Sequence, residues 1–146
     1  MDELLQIIRQ IEIFHGLNEA QFRRLAQITK REEYASGDSI LEQGSAGDSM
    51  YIIAAGQVEV LKRDAEGEPQ TELFLGEGQM FGELALLDQG VRTATIVADD
   101  DPTVVYVLMR DSFEELCSTD TAIGYTLMRN IALDLAFKLR HQNLDD

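Results

Sequence analysis

The sequence predicts an α+β domain with helices at both ends of the chain and an antiparallel roll or barrel of short β-strands between them. Apolar residues recur at helical spacing near the N-terminus, glycines separate short β-type runs in the middle, and a long helical pattern returns near the C-terminus. A chain of 146 residues corresponds to about one domain. We therefore predict a single domain, 1–146, with N-terminal helices in 1–30, the β-roll in 31–109 and C-terminal helices in 110–146.

Two helices are predicted in the N-terminal segment. The first follows from apolar residues at helical spacing: Leu4, Leu5, Ile7, Ile8 and Ile11. The segment 14–17, which contains Gly16, interrupts it. Asn18 and Gln21 then have the spacing of a capping box, in which each side chain accepts a hydrogen bond from the backbone N–H of the other residue. They predict a second helix that continues to Ile28.

Short strands are predicted from Arg31 onward, where glycines begin to punctuate the sequence. The predicted strands are 39–42, 49–54, 57–63, 71–75, 93–97 and 103–109. The segments 64–67 and 99–102 are rich in Asp with Gly or Pro, and we predict that both are hairpin turns. Evenly spaced short strands of this kind favour a closed roll or barrel.

Two helices are predicted after the strands, and the second suggests a dimer. Asp111 or Ser112 caps a short helix that runs to Cys117, and Thr121 opens a long helix. The long helix has a broad apolar arc of Leu127, Met128, Ile131, Ala132, Leu135, Ala136 and Leu139, and a second arc of Leu133, Phe137 and Leu144. A helix that is apolar on two sides needs two partners. We predict that these are the roll and a twin helix, giving a homodimer through 121–143; the alternative is that both arcs pack within one domain.

A double substitution tests that dimer. Replacing Ile131 and Leu135 by Glu is predicted to place like charges in the seam and to give monomers.

The composition excludes several classes of protein. Hydrophobic residues make up 45% of the chain, and no apolar run approaches the roughly 18 residues of a membrane span. The N-terminus begins acidic and lacks the basic start of a signal peptide. The single cysteine, Cys117, excludes an internal disulfide and a four-thiolate iron–sulfur site. We therefore expect a cytoplasmic protein that does not contact a membrane.

The charge argues against nucleic-acid binding. The 12 basic and 27 acidic residues give a formal net charge of −15. Nucleic-acid binders carry clustered Lys and Arg that displace counterions from phosphates, whereas the bases here are scattered. We therefore expect no DNA binding by this chain alone.

The segment 81–95 has the residue types of a site for a phosphate diester joined to a sugar. Gly82 lets the backbone approach a ligand because it has no Cβ. Residues 83–87 can form one helical turn whose first N–H groups face an anion. Arg92 carries a planar fork of donors that suits phosphate oxygens, and Glu83 can accept a hydrogen bond from a sugar hydroxyl. The alternatives are a surface ion pair for Arg92 and a carboxylate on a helix dipole for Glu83.

This segment resembles the phosphate-binding cassette of the cyclic nucleotide-binding domain family. The resemblance rests on FGELALL at 81–87 and RTAT at 92–95, extends upstream through ILEQG at 40–44, GD at 47–48 and MYII at 50–53, and covers roughly 4–144. It implies a double-stranded β-helix or jelly roll of about eight antiparallel strands, with N-terminal helices, a short cassette helix and a long C-terminal helix. The ligand-binding residues that it implies are Phe81, Gly82, Glu83, Leu84, Ala85, Arg92, Thr93 and Ala94.

The resemblance implies less about the base. It places two polar residues near the end of the long helix, Gln142 and Asn143, against the purine, although a solvated C-terminus is the alternative. The resemblance also implies that Thr93 lies beside the phosphate and the purine, but this residue does not distinguish adenine from guanine. Transcription factors of the family carry a helix-turn-helix after the long helix, and this sequence stops where that module would begin.

No catalytic or metal site is predicted. The two histidines, His15 and His141, lie outside the strand region, so a three-histidine metal site cannot be built there. We predict a stand-alone, non-catalytic sensor of cAMP or cGMP without a cofactor, which signals by movement of its C-terminal helix to an effector protein that the sequence does not identify. The alternatives are a degenerate β-roll interaction module that binds no nucleotide, and the regulatory part of a larger complex.

Overall fold

The structure, a computed structural model, describes residues 2–145, and the side chains of residues 2–141. The described residues form two units. The strand unit comprises 28–113, and the helical unit comprises the described residues on either side of it. Each unit is described by itself below.

The strand unit contains eight strands. They are β1 (Thr29–Tyr34), β2 (Ser39–Leu41), β3 (Ser49–Ala55), β4 (Gln57–Arg63), β5 (Pro69–Gly76), β6 (Met80–Phe81), β7 (Thr95–Ala98) and β8 (Thr103–Met109). They form two four-stranded antiparallel sheets, with the orders β1-β8-β3-β6 and β2-β7-β4-β5. The predicted α+β fold with about eight antiparallel strands is confirmed.

The two sheets share one hydrophobic core. Its buried members come from both sheets and are Tyr51, Ile53, Val58, Val60, Phe81, Ile96, Val105 and Val107. In β4 the buried Val58 and Val60 alternate with the half-buried Gln57 and Glu59. This alternation is the pattern of a strand with one face on a core.

Three details of the strand unit differ from the sequence prediction. Neither β1 nor β6 is among the predicted strands, and β1 begins at Thr29, inside the segment predicted as helical. The polar β1 is a strand because its six residues pair with β8. The prediction of a hairpin turn at 99–102 is wrong, because β7 and β8 lie in different sheets. The turn at 64–67 does join the paired strands β4 and β5, and the Asp64 carboxylate accepts the backbone N–H groups of Glu66 and Glu68 at 3.0 and 2.9 Å.

The helical unit is built from both ends of the chain. It contains α1 (Asp2–Ile8), a 3₁₀ turn (Glu12–Phe14), α2 (Glu19–Gln27) and α4 (Thr121–Asp145), which follows α3 (Arg110–Thr119) in the chain. The predicted capping box of α2 is confirmed: the Asn18 N–H donates to Gln21 Oε1 at 2.8 Å, and the Gln21 N–H donates to Asn18 Oδ1 at 2.9 Å. None of the helices in the described part of the chain is both long enough and apolar enough to span a membrane.

One side of α4 is buried and the other is exposed. Asn130 on α4 donates to the carbonyl oxygens of Ile13 and His15 at 2.9 and 2.7 Å, which ties the helix to the 3₁₀ turn. Ile131 is 3% exposed, whereas Met128 and Leu139 are 39% and 58% exposed. The predicted first arc is therefore split between the two sides. Replacing Ile131 would disturb the fold of its own chain, so it is not a clean test of a dimer.

Candidate ligand-binding site

The strand unit contains an open cavity of about 510 Å³. Its walls come from β4 and β5, from the segment 80–96, and from Leu41 and Gly47. Cavities of roughly 300–1,000 Å³ hold small organic ligands in other proteins. This cavity is therefore large enough for a ligand the size of a nucleotide.

All the residues of the predicted cassette site line this cavity. They are Phe81, Gly82, Glu83, Leu84, Ala85, Arg92, Thr93 and Ala94. The structure thus brings them together, and their binding of a ligand stays a prediction. The side chains of Gln142 and Asn143, the predicted purine contacts, lie outside the described residues. The sequence analysis did not name as site residues the five lining residues from β4 and β5, namely Val60, Lys62, Glu72, Leu73 and Leu75.

Gly82 occupies a position that only glycine fits without strain. Its backbone is left-handed, with φ of 79° and ψ of 17°, and it precedes a 3₁₀ turn at Glu83–Leu86. A Cβ at this position would lie 2.8 Å from Arg92 Nη1 and 3.2 Å from the Ser49 carbonyl oxygen. Glycine therefore allows both the start of the turn and the close approach of Arg92.

Arg92 is almost fully buried at the cavity wall, with 7% of its surface exposed. Its Nη2 donates to the Ser49 carbonyl oxygen at 2.8 Å and to the Ser49 hydroxyl oxygen at 3.3 Å. Its Cζ lies 5.9 Å from the centre of the Tyr51 ring, and that ring stacks on Phe81 with 4.9 Å between centroids. These contacts hold the guanidinium at a defined place in the wall.

Burial also sets the electrostatics of Arg92. Desolvation lowers the pKa of Arg92 from its ordinary value, while Tyr51 and Asp48 raise it. Arginine starts from so high a pKa that the group stays protonated at neutral pH. Because this cation is buried, its attraction to an anionic ligand is screened less than that of a surface arginine.

The backbone on each side of Arg92 is held by the loop at 44–47. The Gly44 N–H donates to the Arg92 carbonyl oxygen at 2.9 Å, and the Arg92 N–H donates to the Ser45 carbonyl oxygen at 2.7 Å. The Gly47 N–H donates to the Gly90 carbonyl oxygen at 3.1 Å. The glycines that punctuate 44–47 in the sequence thus belong to the same site as Arg92.

Arg110 does not line the cavity but contacts residues that do, and the sequence analysis missed it. Its Nη1 donates to the carbonyl oxygens of Gly47, Ala85 and Asp88 at 2.8, 3.3 and 3.0 Å. Arg110 is also the first residue of α3. One side chain therefore joins the loop at 44–47, the end of the cassette turn and the start of α3.

Replacing Arg110 by Met is expected to destabilise the strand unit. Loss of charge-assisted hydrogen bonds to carbonyl oxygens is expected to lower the free energy of unfolding by about 1–3 kcal/mol. Urea unfolding measures this change. Arg63→Met, at an exposed arginine of β4, is the matched control and is expected to change stability by no more than about 0.5 kcal/mol. Equal unfolding midpoints for Arg110→Met and the wild type would contradict the structural role of Arg110.

Comparison with known proteins identifies relatives of this chain. The sequence model of the cyclic nucleotide-binding domain family matches residues 31–120. The cGMP-dependent protein kinase egl-4 of Caenorhabditis elegans is 36% identical over 115 residues, which are 78% of this chain and 15% of the kinase. The cyclic AMP receptor protein of Thermus thermophilus is 32% identical over 133 residues, which are 91% of this chain and 59% of that protein.

A solved structure agrees with these relatives. The crystal structure of the Thermus thermophilus catabolite activator protein matches with a TM-score of 0.81 and 31% identity, over 92% of this chain and 61% of that chain. This chain thus spans less than two thirds of each of these proteins. The family match covers more than half of the 146 residues and includes the whole cassette. The chain belongs to the cyclic nucleotide-binding domain family.

Proposed function

We propose that this chain is a non-catalytic sensor that binds cAMP or cGMP in the cavity of the strand unit. The observation that carries the proposal is the buried Arg92, held at the wall of a cavity of about 510 Å³ beside Gly82 and Glu83. A buried guanidinium that lacks bulk water gains strongly from a phosphate.

Each part of a cyclic nucleotide has a partner in the proposed complex. Arg92 donates to the phosphate oxygens, and Gly82 lets the ligand approach the backbone. Glu83 accepts a hydrogen bond from the ribose hydroxyl. The purine packs on the apolar lining, which includes Leu75 and Ile96.

The names of the relatives fit this proposal. One is a cGMP-dependent kinase and another is a cyclic AMP receptor protein. Both names specify a cyclic nucleotide, with guanine in the first and adenine in the second. Because this chain covers only part of either protein, its output and its effector protein are part of the proposal. A protein-interaction module that binds no nucleotide remains the competing function, and a regulatory part of a larger complex is the third.

We propose that the signal leaves the site through Arg110. Ligand binding draws Arg92 and the Glu83–Leu86 turn together. Arg110 is the first residue of α3, and its side chain donates to the Ala85 carbonyl oxygen in that turn, so it connects the turn to α3. The movement then continues into the C-terminal helix. In this proposal the protein has two conformations, before and after the movement. The ligand shifts the equilibrium between them only by the difference between its affinities for the two.

We also propose a homodimer through α4. The outward side of the helix presents the exposed Tyr125, Met128, Ala132 and Leu139 and the half-buried Leu135. They are spaced alternately three and four residues apart, which is the repeat of a coiled-coil seam. DNA binding is not part of this proposal, because the 12 basic residues are outnumbered by 27 acidic ones and DNA binding requires clustered Lys and Arg. A cytoplasmic location stays a prediction.

Isothermal titration with cAMP and cGMP tests the proposed function. A ligand of about 22 non-hydrogen atoms at roughly 0.3 kcal/mol each gives a dissociation constant on the order of 10 μM. The linear 5′-AMP and 5′-GMP are the matched controls, since they carry the same bases and sugar without the cyclic diester, and weaker binding is expected for both. Absence of heat with either cyclic nucleotide at millimolar concentration would favour the interaction module.

A further inference from the structure

Glu72 is the extra residue of a β-bulge in β5. The pairing of β4 with β5 places Val60 opposite Leu73 and Leu61 opposite Thr71, so Glu72 has no residue opposite it. A bulge of this kind re-aims a side chain and often lies beside a ligand site.

The bulge places Glu72 on the cavity side of β5. On that side Val60 and Lys62 of β4 line the cavity together with Leu73 and Leu75 of β5. Thr71 lies on the opposite face, where its hydroxyl donates to the Glu59 carboxylate. In a regular strand Glu72 and Leu73 would point to opposite faces, but here both line the cavity.

Glu72 forms an ion pair with Lys62 at the edge of the cavity. Lys62 Nζ lies 3.7 Å from Glu72 Oε2, and the two side chains are 46% and 44% exposed. Their neighbours in the cavity wall are the apolar Val60, Leu73 and Leu75. The pair therefore offers a donor and an acceptor side by side on an apolar wall formed by β4 and β5, while Arg92 lies in the wall formed by the cassette.

We propose that Glu72 and Lys62 hydrogen-bond to the purine of the bound cyclic nucleotide and favour guanine over adenine. This inference rests on the proposed function. The edge of guanine presents the O6 acceptor followed by the N1–H and N2–H donors. Lys62 donates a hydrogen bond to O6. The Glu72 carboxylate, which can only accept, accepts hydrogen bonds from N1–H and N2–H. Adenine presents one donor group, N6, beside the N1 acceptor, so it makes one hydrogen bond fewer.

Titration with cGMP, cAMP and cyclic IMP tests this inference. Cyclic IMP keeps O6 and N1–H but lacks the N2 amine, so it isolates the second hydrogen bond to Glu72. One charge-assisted hydrogen bond corresponds to a preference of about tenfold for cGMP over cAMP, and cyclic IMP, which also makes one hydrogen bond fewer than cGMP, is expected to bind about as tightly as cAMP. Glu72→Ala is expected to bring the three affinities to within about twofold of one another.

Glu72→Gln gives the sharper result. Its amide presents one acceptor and one donor, which match N6–H and N1 of adenine, so the preference is expected to disappear or to turn toward cAMP. Glu77→Gln is the matched control, because it removes the same charge from an exposed position after β5 that does not line the cavity. It is expected to keep the wild-type ratio.

The outcomes separate this inference from the proposed function. If the wild type binds no cyclic nucleotide, both fail. If it binds cAMP as tightly as cGMP or tighter, or if the Glu72 variants keep the wild-type ratio, the role of Glu72 and Lys62 is overturned while the proposed function stands.

Discussion

Replacing Arg92 by Leu is expected to abolish cyclic nucleotide binding at micromolar concentrations while the protein stays folded. Loss of a buried, charge-assisted contact to the phosphate costs about 2–5 kcal/mol, which weakens binding by roughly 30-fold or more. Arg92 is the only basic residue between Arg63 and Arg110, so no neighbour in the sequence replaces it. Isothermal titration with cAMP and cGMP measures the loss, and circular dichroism with urea unfolding shows whether the fold persists.

Two control variants separate charge, geometry and location. Arg92→Lys keeps the charge but loses the planar fork, so we expect binding that is weaker than that of the wild type and stronger than that of Arg92→Leu. Arg63→Leu removes an exposed arginine of β4 and is expected to leave the affinity within about twofold. The described lining contains one other cation, Lys62. Unchanged isotherms for a folded Arg92→Leu would show that Arg92 does not bind the phosphate, and Lys62 would then be the cation to replace.

Replacing Met128 and Leu139 together by Glu is expected to convert a dimer into monomers. Both side chains lie on the outward side of α4, with 39% and 58% of their surfaces exposed. In a parallel or antiparallel pair of these helices the new carboxylates would be buried in the seam, where unpaired charges are strongly unfavourable. This pair replaces Ile131 and Leu135 as the test, because Ile131 is buried within its own chain.

Sedimentation velocity at tens of μM, roughly where weak dimers form, measures the oligomeric state. Leu133→Glu with Phe137→Glu is the matched control, since these residues are 53% and 61% exposed but project from a different side of α4. That control is expected to remain dimeric. A monomeric wild type would overturn the dimer. If only the control variant were monomeric, the dimer would form through the side of α4 that carries Leu133 and Phe137, and the proposed seam would be wrong.

Local interactions determined the features that the sequence predicted best. The capping box of α2 needs only Asn18 and Gln21, three residues apart, and the turn at 64–67 needs only the Asp64 carboxylate and the nearby N–H groups. The cassette residues lie within a single segment, 81–94, so their spacing was visible in the sequence. Short-range hydrogen bonding and side-chain chemistry are sufficient for such features.

Only the tertiary structure decided the features that depend on pairing between distant segments. The polar β1 is a strand because β8 lies beside it, about 75 residues later in the chain. Glu72 lines the cavity because the pairing of β5 with β4 slips by one residue, and nothing local to Glu72 marks that bulge. Arg110 joins the cassette because β8 delivers it next to Gly47 and Ala85. The sequence by itself determined the cassette residues and their order. The pairing of distant strands decided which other side chains share the cavity with them, because a shift of one residue in register reverses the direction of a side chain in a sheet.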